Sequence, residues 1–264
     1  MFISNLLAIF RKELQSYFAS PLAYVVAAVF WLMSGFFFVS ILLGPQGIIQ
    51  QVAISEQQGF PIPTVDVAYE FLNFFFGVMG SLVLFILPML SMGLYTEERK
   101  RGTLELLATS PITNWVVALG KLLGVVTFFT VLLVPLLIYE AIAFSAAVPA
   151  VQPEVPLLAH AGLILLAASI LSLGMFVSSL TDSTIFAAVL TFALVLFLWV
   201  IDIVADSVGG PLGEGLKHLS LLEHYNSLVQ GVLDTSSLVL FASYIILGLF
   251  LTAQSIEALR FQRS

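Results

Sequence analysis

Residues 71–94 read FLNFFFGVMGSLVLFILPMLSMGL, an uncharged and mostly apolar stretch. A helix needs about 20 such residues to cross the hydrocarbon core of a bilayer, so this stretch is long enough to span it once. Five further stretches have a comparable length and character, and they lie near residues 22–43, 116–139, 157–180, 185–201 and 238–256. The sequence therefore predicts an all-α integral membrane protein with six transmembrane helices.

The composition excludes the main alternatives to a membrane protein. Apolar residues make up 60% of the chain and charged residues 9%, whereas a soluble domain has about 25% charged residues. The mean hydropathy of +1.08 excludes a soluble globular fold, and the 23 Phe residues exclude disorder. A net charge of −7 with nine basic residues argues against binding to nucleic acid, and the absence of Cys removes thiolate chemistry.

The distribution of basic residues predicts the orientation in the membrane. Lys and Arg accumulate on the cytoplasmic side of short loops, and the predicted spans leave only Lys217 on the opposite side. Both termini are therefore predicted to be cytoplasmic, which agrees with an even number of spans. The residues assigned to the cytoplasmic side are Arg11, Lys12, Arg99, Lys100, Arg101, Lys121, Arg260 and Arg263.

Residues 2–19 are predicted to form an amphipathic helix on the membrane surface. Phe10, Leu14 and Phe18 lie on one side at helical spacing, while Lys12 and Gln15 lie on the other. No internal repeat or low-complexity tract divides the chain. We therefore treat residues 1–264 as one transmembrane domain.

The densest group of polar residues lies in the loop at residues 97–111, between spans two and three. Gly102 is expected to end the extension of span two, Thr103 to cap a new helix and Pro111 to follow its end. This helix of about two turns would expose Leu104 and Leu107 to a groove in a soluble partner. The alternative is that the basic residues anchor the loop to anionic lipid and the leucines dip into the interface.

The same loop resembles that of the ABC-2 exporter permeases, through EERKRGTLELL at residues 97–107, then Pro111-Ile112 and Gly120-Lys121. Residues 11–21 and 219–234 are similar to the gliding-motility-type branch of these permeases. The resemblance covers nearly the whole chain and implies that the loop forms a coupling helix that docks on an ATPase subunit. The ATPase-coupling residues would be Glu97, Glu98, Arg99, Gly102, Thr103, Leu104, Glu105, Leu107 and Pro111.

The resemblance also implies partners and a location. The chain would be a permease subunit in the bacterial plasma membrane, paired with a second copy or a homologue and with the ATPase, and an accessory subunit on the outer side is possible in such complexes. Short helices within the segment 205–236 would fold back into the outer leaflet. Because Trp115 and Leu122 flank Gly120-Lys121 where a phosphate-binding loop requires Gly and Ser or Thr, we expect no enzymatic activity here and assign ATP and Mg to the partner.

Four residues within the spans are candidates for the substrate path. Glu140 follows Lys121 by roughly 28 Å along a helix, which places it near the outer interface. His160 lies near the outer end of span four, where a satisfied interfacial histidine is the alternative to a functional one. Pro88 and Pro135 would kink spans two and three, either as static bends or as gates. No set of metal ligands is apparent.

Two other classes of function remain open from the sequence. An ion-coupled carrier would require paired charges near the middle of the membrane, and a polytopic enzyme or scaffold would require converging polar groups or a docking surface. The leading hypothesis is a permease that couples ATP hydrolysis in another subunit to export of an unidentified substrate.

Overall fold

The computed structural model describes residues 2–57, 66–104, 112–145, 147 and 151–261. Within these ranges the chain is helical and contains no strand. The helices are α1 Phe2–Ala19, α2 Pro21–Leu43, α3 Ile48–Gln57, α4 Val67–Ser91, α5 Gly93–Lys100, α6 Asn114–Leu132, α7 Val134–Phe144, α8 Glu154–Leu180, α9 Thr184–Val208, α10 Gly210–Lys217, α11 Leu221–Val229 and α12 Thr235–Phe261.

Six segments in the described part of the chain are long and apolar enough to cross a membrane. This confirms the prediction of an all-α protein with six spans. The segments are Pro21–Ser55, Val67–Lys100, Asn114–Phe144, Glu154–Leu180, Thr184–Ala205 and Thr235–Ala258.

Helix α8 is the central helix of the bundle. In span four, which α8 forms, 78% of the most apolar window is buried inside the protein, compared with 17% in span five. Ser169 and Ser172 of α8 donate hydrogen bonds to the carbonyls of Phe241 and Tyr244 of α12. Small hydroxyl side chains therefore allow α8 and α12 to pack closely and join them through hydrogen bonds.

Spans two and three are each interrupted by a break close to a proline. The break between α6 and α7 at Leu133 precedes Pro135 and frees the carbonyl of Leu132, which accepts a hydrogen bond of 3.0 Å from the indole of Trp31. The break between α4 and α5 at Met92 follows Pro88 by one helical turn. Both prolines named from the sequence therefore lie beside an interruption of the helical hydrogen-bond pattern, and nearby side chains satisfy backbone groups that it frees.

Short helices fill the segment between spans five and six. Gly209 and Gly210 have φ values of 60° and 63°, a conformation that side-chain-bearing residues rarely adopt, and they separate α9 from α10. The buried Tyr225 of α11 donates a hydrogen bond of 2.6 Å to the carbonyl of Phe76, and the absence of a side chain at Gly80 makes room for its ring. This part of the predicted 205–236 segment is thus packed on the bundle.

Helix α1 packs along the first half of α6, while Phe2, Ile3 and Leu7 remain exposed. Its position on the membrane surface stays a prediction. A Cβ atom placed on Gly120 would lie 2.8 Å from Ile9, and one placed on Gly124 would lie 2.7 Å from the Cβ of Glu13. Two glycines one turn apart therefore create the groove that receives α1. This close packing brings Glu13 beside α6.

Replacing Gly124 with Val should push α1 away from α6, because the added side chain overlaps the position of Glu13. We expect the free energy of unfolding to fall by about 1–3 kcal/mol, the usual cost of overpacking. Unfolding in mixed detergent micelles would measure this loss. Gly77→Val is the matched control, since no atom lies within 4 Å of a Cβ placed there; equal losses in the two variants would contradict the proposed groove.

Candidate functional site

A buried ionic cluster joins α1, α5 and α6 at the end of the bundle that carries the loop, called here the basic end. The Nζ atom of Lys121 lies 2.8 Å from Oε1 of Glu13 and 3.1 Å from Oε1 of Glu98. Lys121 is 2% exposed and Glu13 is 7% exposed. We call Glu13, Glu98 and Lys121 the ionic cluster.

This position corrects the sequence prediction for Lys121. Counting it with the basic residues of the cytoplasmic side treats it as a solvent-exposed charge, but it lies buried inside α6, about 10 Å along the helix from its start at Asn114. The positive charge of Lys121 is stabilised there by the negative charges and dipoles that surround it. Besides the two carboxylates, Lys121 donates a hydrogen bond of 2.8 Å to the carbonyl of Leu94 and lies 5.0 Å from the ring centroid of Tyr95.

Lys12 covers the solvent side of the ionic cluster. Its Nζ atom lies 3.1 Å from Oε1 of Glu98 and 3.7 Å from Oε1 of Glu13, and its side chain is 65% exposed. Burial acts to lower the pKa of Lys12, but the charges of Glu98 and Glu13 outweigh it and raise the pKa above the ordinary value of 10.5. The stabilising contribution of this cation is thus fully present below pH 10.5 and is lost only as the pH rises through the raised pKa.

Two side-chain contacts fix α5 to the central helix α8. The break at Met92 leaves amides in the first turn of α5 without helical partners, and Oγ of Ser178 accepts hydrogen bonds from the amides of Tyr95 and Thr96. At the other end of α5, Arg99 donates a hydrogen bond of 2.7 Å to the carbonyl of Ser179. The sequence prediction placed Arg99 among residues that face a partner, whereas the structure directs it into the bundle.

The chain leaves α5 through a defined helix end. Gly102 has a φ of 68°, its amide donates to the carbonyl of Arg99, and the amide of Thr103 donates to the carbonyl of Glu98. This is the pair of hydrogen bonds of a Schellman motif, which needs a residue with positive φ. Gly102 thus has the helix-ending role that the sequence predicts. The hydroxyl of Thr103 also donates to the carbonyl of Glu98.

The predicted exposure of Leu104 is wrong. Its side chain is 3% exposed and belongs to the hydrophobic core. The periodicity of the sequence gave it the same outward side as Leu107, but the turn at Gly102 directs Leu104 inward. Leu104 therefore fixes the base of the loop by packing. Glu105, Leu107 and Pro111 lie outside the described residues.

The remaining charged residues of the loop base are exposed. Glu97 and Arg101 form an ion pair of 3.4 Å one turn apart, with side-chain exposures of 59% and 74%. Such a surface pair contributes only about 0.3–0.5 kcal/mol. Of the predicted coupling residues, Glu98 joins the ionic cluster and Glu97 stays available at the surface.

The sequence does not reveal the partners of the loop base. Glu13, Ser178 and Ser179 lie far from the loop in the sequence, and nothing in their local pattern indicates contact with it. A signal was present for Lys121, since a Lys inside an apolar span requires a partner of opposite charge. The pair of glycines beside it indicated a close helix contact without identifying the partner helix.

Glu140 and His160 meet at the opposite end of the bundle. Nδ1 of His160 lies 3.6 Å from Oε1 of Glu140 and 2.9 Å from the carbonyl of Pro156. The ring of Phe76 packs edge-on against the imidazole, with the ring centroids 5.1 Å apart. Among the described residues, Oε1 of Glu140 and Nε2 of His160 are buried without a hydrogen-bond partner. His160 is therefore not the satisfied histidine considered from the sequence.

The described residues contain no group of three or more His, Asp or Glu side chains arranged to hold a metal ion. Their most developed polar site is the ionic cluster beside the loop. The fold is that of a multi-pass membrane protein with six spans. At its basic end, the ionic cluster connects the base of one loop to several helices.

The family model of the ABC-2 family transporter proteins matches residues 7–264, nearly the whole chain. The protein therefore belongs to the ABC-2 family and is a membrane-embedded permease of the ABC transporter class. No curated protein matches the chain.

Replacing Lys121 with Met should strongly destabilise the basic end, because Glu13 and Glu98 would lose their buried cation and keep only the exposed Lys12 as a partner. We expect a loss of about 3–5 kcal/mol in the free energy of unfolding, the usual consequence of removing one partner of a buried ion pair. Unfolding in mixed micelles would measure it, with the exposed Lys100→Met as control.

A triple variant tests whether charge is the cause. Adding Glu13→Gln and Glu98→Gln to Lys121→Met removes the stranded charges, so most of the lost stability should return. A triple variant as unstable as Lys121→Met would contradict the ionic explanation and indicate a loss of packing.

Proposed function

We propose that this chain is the permease of an ATP-driven exporter, with ATP and Mg bound by a separate ATPase subunit. The basic end faces the cytoplasm in this proposal, and the loop at residues 97–111 is the docking site of the ATPase. A second permease copy or a homologue completes the transport path. The bacterial plasma membrane, the gliding-motility-type branch and an accessory subunit on the outer side belong to the same proposal.

The observation that carries the proposal is the attachment of the loop base to the bundle. The loop leaves α5 at Gly102, and the chain re-enters the bundle at α6. The ionic cluster joins those same two helices to α1. A movement of the loop would therefore be transmitted to three helices together.

The path of the movement continues through hydrogen bonds. Arg99 connects α5 to the last turn of α8, and Oγ of Ser179 lies 2.9 Å from Oγ of Ser255 on α12. Spans two, three, four and six are thus linked at the basic end. A subunit that closes on ATP can act on all of them through one contact, which is what coupling of hydrolysis to transport requires.

We propose that Glu140 and His160 lie on the substrate path at the opposite end. Leu136 and Glu140 are the buried residues of α7, a helix that the structure describes completely. The contact of α7 with α8 through Glu140 and His160 is a weak one, because the two atoms are 3.6 Å apart. Pro88 and Pro135 mark the breaks about which the helix segments would move.

An ion-coupled carrier is the alternative, and the pair of Glu140 and His160 is the observation that favours it. A buried carboxylate beside an imidazole can bind and release a proton. An ion-coupled carrier would not need an ATPase, so the tests of the loop below separate the two functions.

Glu105→Arg should weaken the interaction with the ATPase without lowering the amount of protein in the membrane. A positive charge at the proposed docking helix reverses the charge that the ATPase meets. Co-purification of a P-loop ATPase with the tagged chain from its native membrane, followed by an ATPase assay, measures this effect. Glu214→Arg makes the same change at an exposed position of α10 and should leave the complex intact.

Failure of wild-type protein to retain an ATPase, under conditions that preserve other membrane complexes, would contradict the proposed function. An ATPase retained equally by wild type and by Glu105→Arg would leave the ABC transporter class in place but would remove the loop as the docking site.

Glu140→Gln should loosen the contact between α7 and α8, because it replaces the carboxyl group that faces Nδ1 of His160 with an amide that cannot form an ion pair. Spin labels at Ile138→Cys and Leu157→Cys, both exposed positions, can report the distance between the helices. The chain has no native Cys to interfere. We expect a broader distance distribution than in the control Glu154→Gln; identical distributions would show that the pair does not hold α7.

A further inference from the structure

A cleft of about 680 Å³ lies between α1, the junction of α4 and α5, and the starts of α2 and α9. This size is typical of a ligand-binding cleft. Charged side chains line the part near the loop, and apolar side chains such as Leu22, Ala23 and Met89 line the part that extends into the spans. Along α4 and α5, the wall rises by about 18 Å from Met89 to Arg101. The cleft is therefore amphipathic along its length.

The charges that line the cleft are balanced. The described lining contains three basic residues, Lys12, Arg101 and Lys121, and three acidic residues, Glu13, Glu97 and Glu98. Lys121 and Glu13 already form an ion pair in the ionic cluster, which lies inside the wall of the cleft. Lys12, Arg101 and Glu97 keep much of their side-chain surface exposed. The exposed part of the cleft thus offers both cations and a carboxylate within one site.

The side chains of Lys12 and Arg101 retain hydrogen-bond donors beyond those used in their ion pairs, because an ammonium has three N–H groups and a guanidinium has five. Phosphate is the anion that such groups bind well. Glu97 supplies an exposed acceptor for an ammonium group. The deeper wall is apolar and adjoins the membrane-spanning part of α2 and α4, where it can hold the first part of an acyl chain.

We propose that this cleft binds a bilayer phospholipid with a zwitterionic headgroup, of the phosphoethanolamine type. The phosphate lies between Lys12 and Arg101, the amine faces Glu97, and one acyl chain runs past Leu22 and Met89. A purely anionic lipid would leave Glu97 facing negative charge, so the cleft discriminates against it. This site shares Glu97 and Arg101 with the loop proposed to dock the ATPase, but lipid retention can be measured on the permease alone.

The first test compares two tryptophan variants of the full chain. Ser16 is exposed on α1 and lines the cleft, whereas its exposed neighbour Gln15 does not line it. Each protein is reconstituted in nanodiscs of equal parts phosphatidylethanolamine and phosphatidylglycerol, extracted in mild detergent, and examined by native mass spectrometry. Wild type and Gln15→Trp should retain phosphatidylethanolamine in preference to phosphatidylglycerol, and Ser16→Trp should retain it roughly fivefold less.

The second test removes a charge without filling the cleft. Arg101→Gln should lower retention of phosphatidylethanolamine by several-fold, while Lys100→Gln, an exposed change outside the cleft lining, should not. Equal retention of the two lipids by wild type would overturn the proposal. So would retention that is unchanged in both Ser16→Trp and Arg101→Gln, or a lipid-free wild-type protein in which a second copy of the chain occupies the cleft.

Discussion

The ammonium of Lys121, held inside the basic end between the carboxylates of Glu13 and Glu98, is the constraint on which this part of the structure depends. A buried charge is costly unless its partners are in place, so the three helices that carry these residues must come together. The glycines at positions 120 and 124 make this possible, because they let α1 approach α6 closely enough for Glu13 to reach the lysine. The ion pair of Glu13 with Lys121 and the space left by the two glycines therefore both favour the packing of α1 against α6.

The contacts at the basic end also explain how the short charged helix α5 is fixed to the bundle. Helix α5 continues span two beyond the interruption at Met92, and its residues Leu94, Tyr95 and Thr96 are buried. The break frees backbone amides that Ser178 satisfies, and it places Arg99 where it can donate to the end of α8. The loop after Gly102 therefore starts from a base that is fixed to two other helices.

The sequence predicts the spans and the helix end at Gly102 well, because each depends on local properties: a long apolar stretch, or a residue that tolerates positive φ. It fails for Lys121 and Leu104. Counting basic residues assumes that a lysine near a span end lies in water, and helical periodicity cannot show which way a turn directs the next side chain. The sequence also does not reveal the contact between Glu140 and His160. The two residues belong to different spans, and their contact depends on how those spans pack in three dimensions.

The two ends of the bundle differ in how their buried ionisable groups are paired. At the basic end a lysine has two carboxylates, a carbonyl and an aromatic ring around it. At the opposite end one carboxyl group faces one imidazole at 3.6 Å. Buried atoms without a hydrogen-bond partner occur at both ends, Oε2 of Glu98 and the hydroxyl of Tyr95 at the basic end and Oε1 of Glu140 and Nε2 of His160 at the other, so the difference lies in the number and length of the ionic contacts. Strong pairing resists separation of helices, whereas weak pairing lets them part at little cost. Under the proposed function, this asymmetry would let the basic end move as a unit while the helices at the opposite end separate.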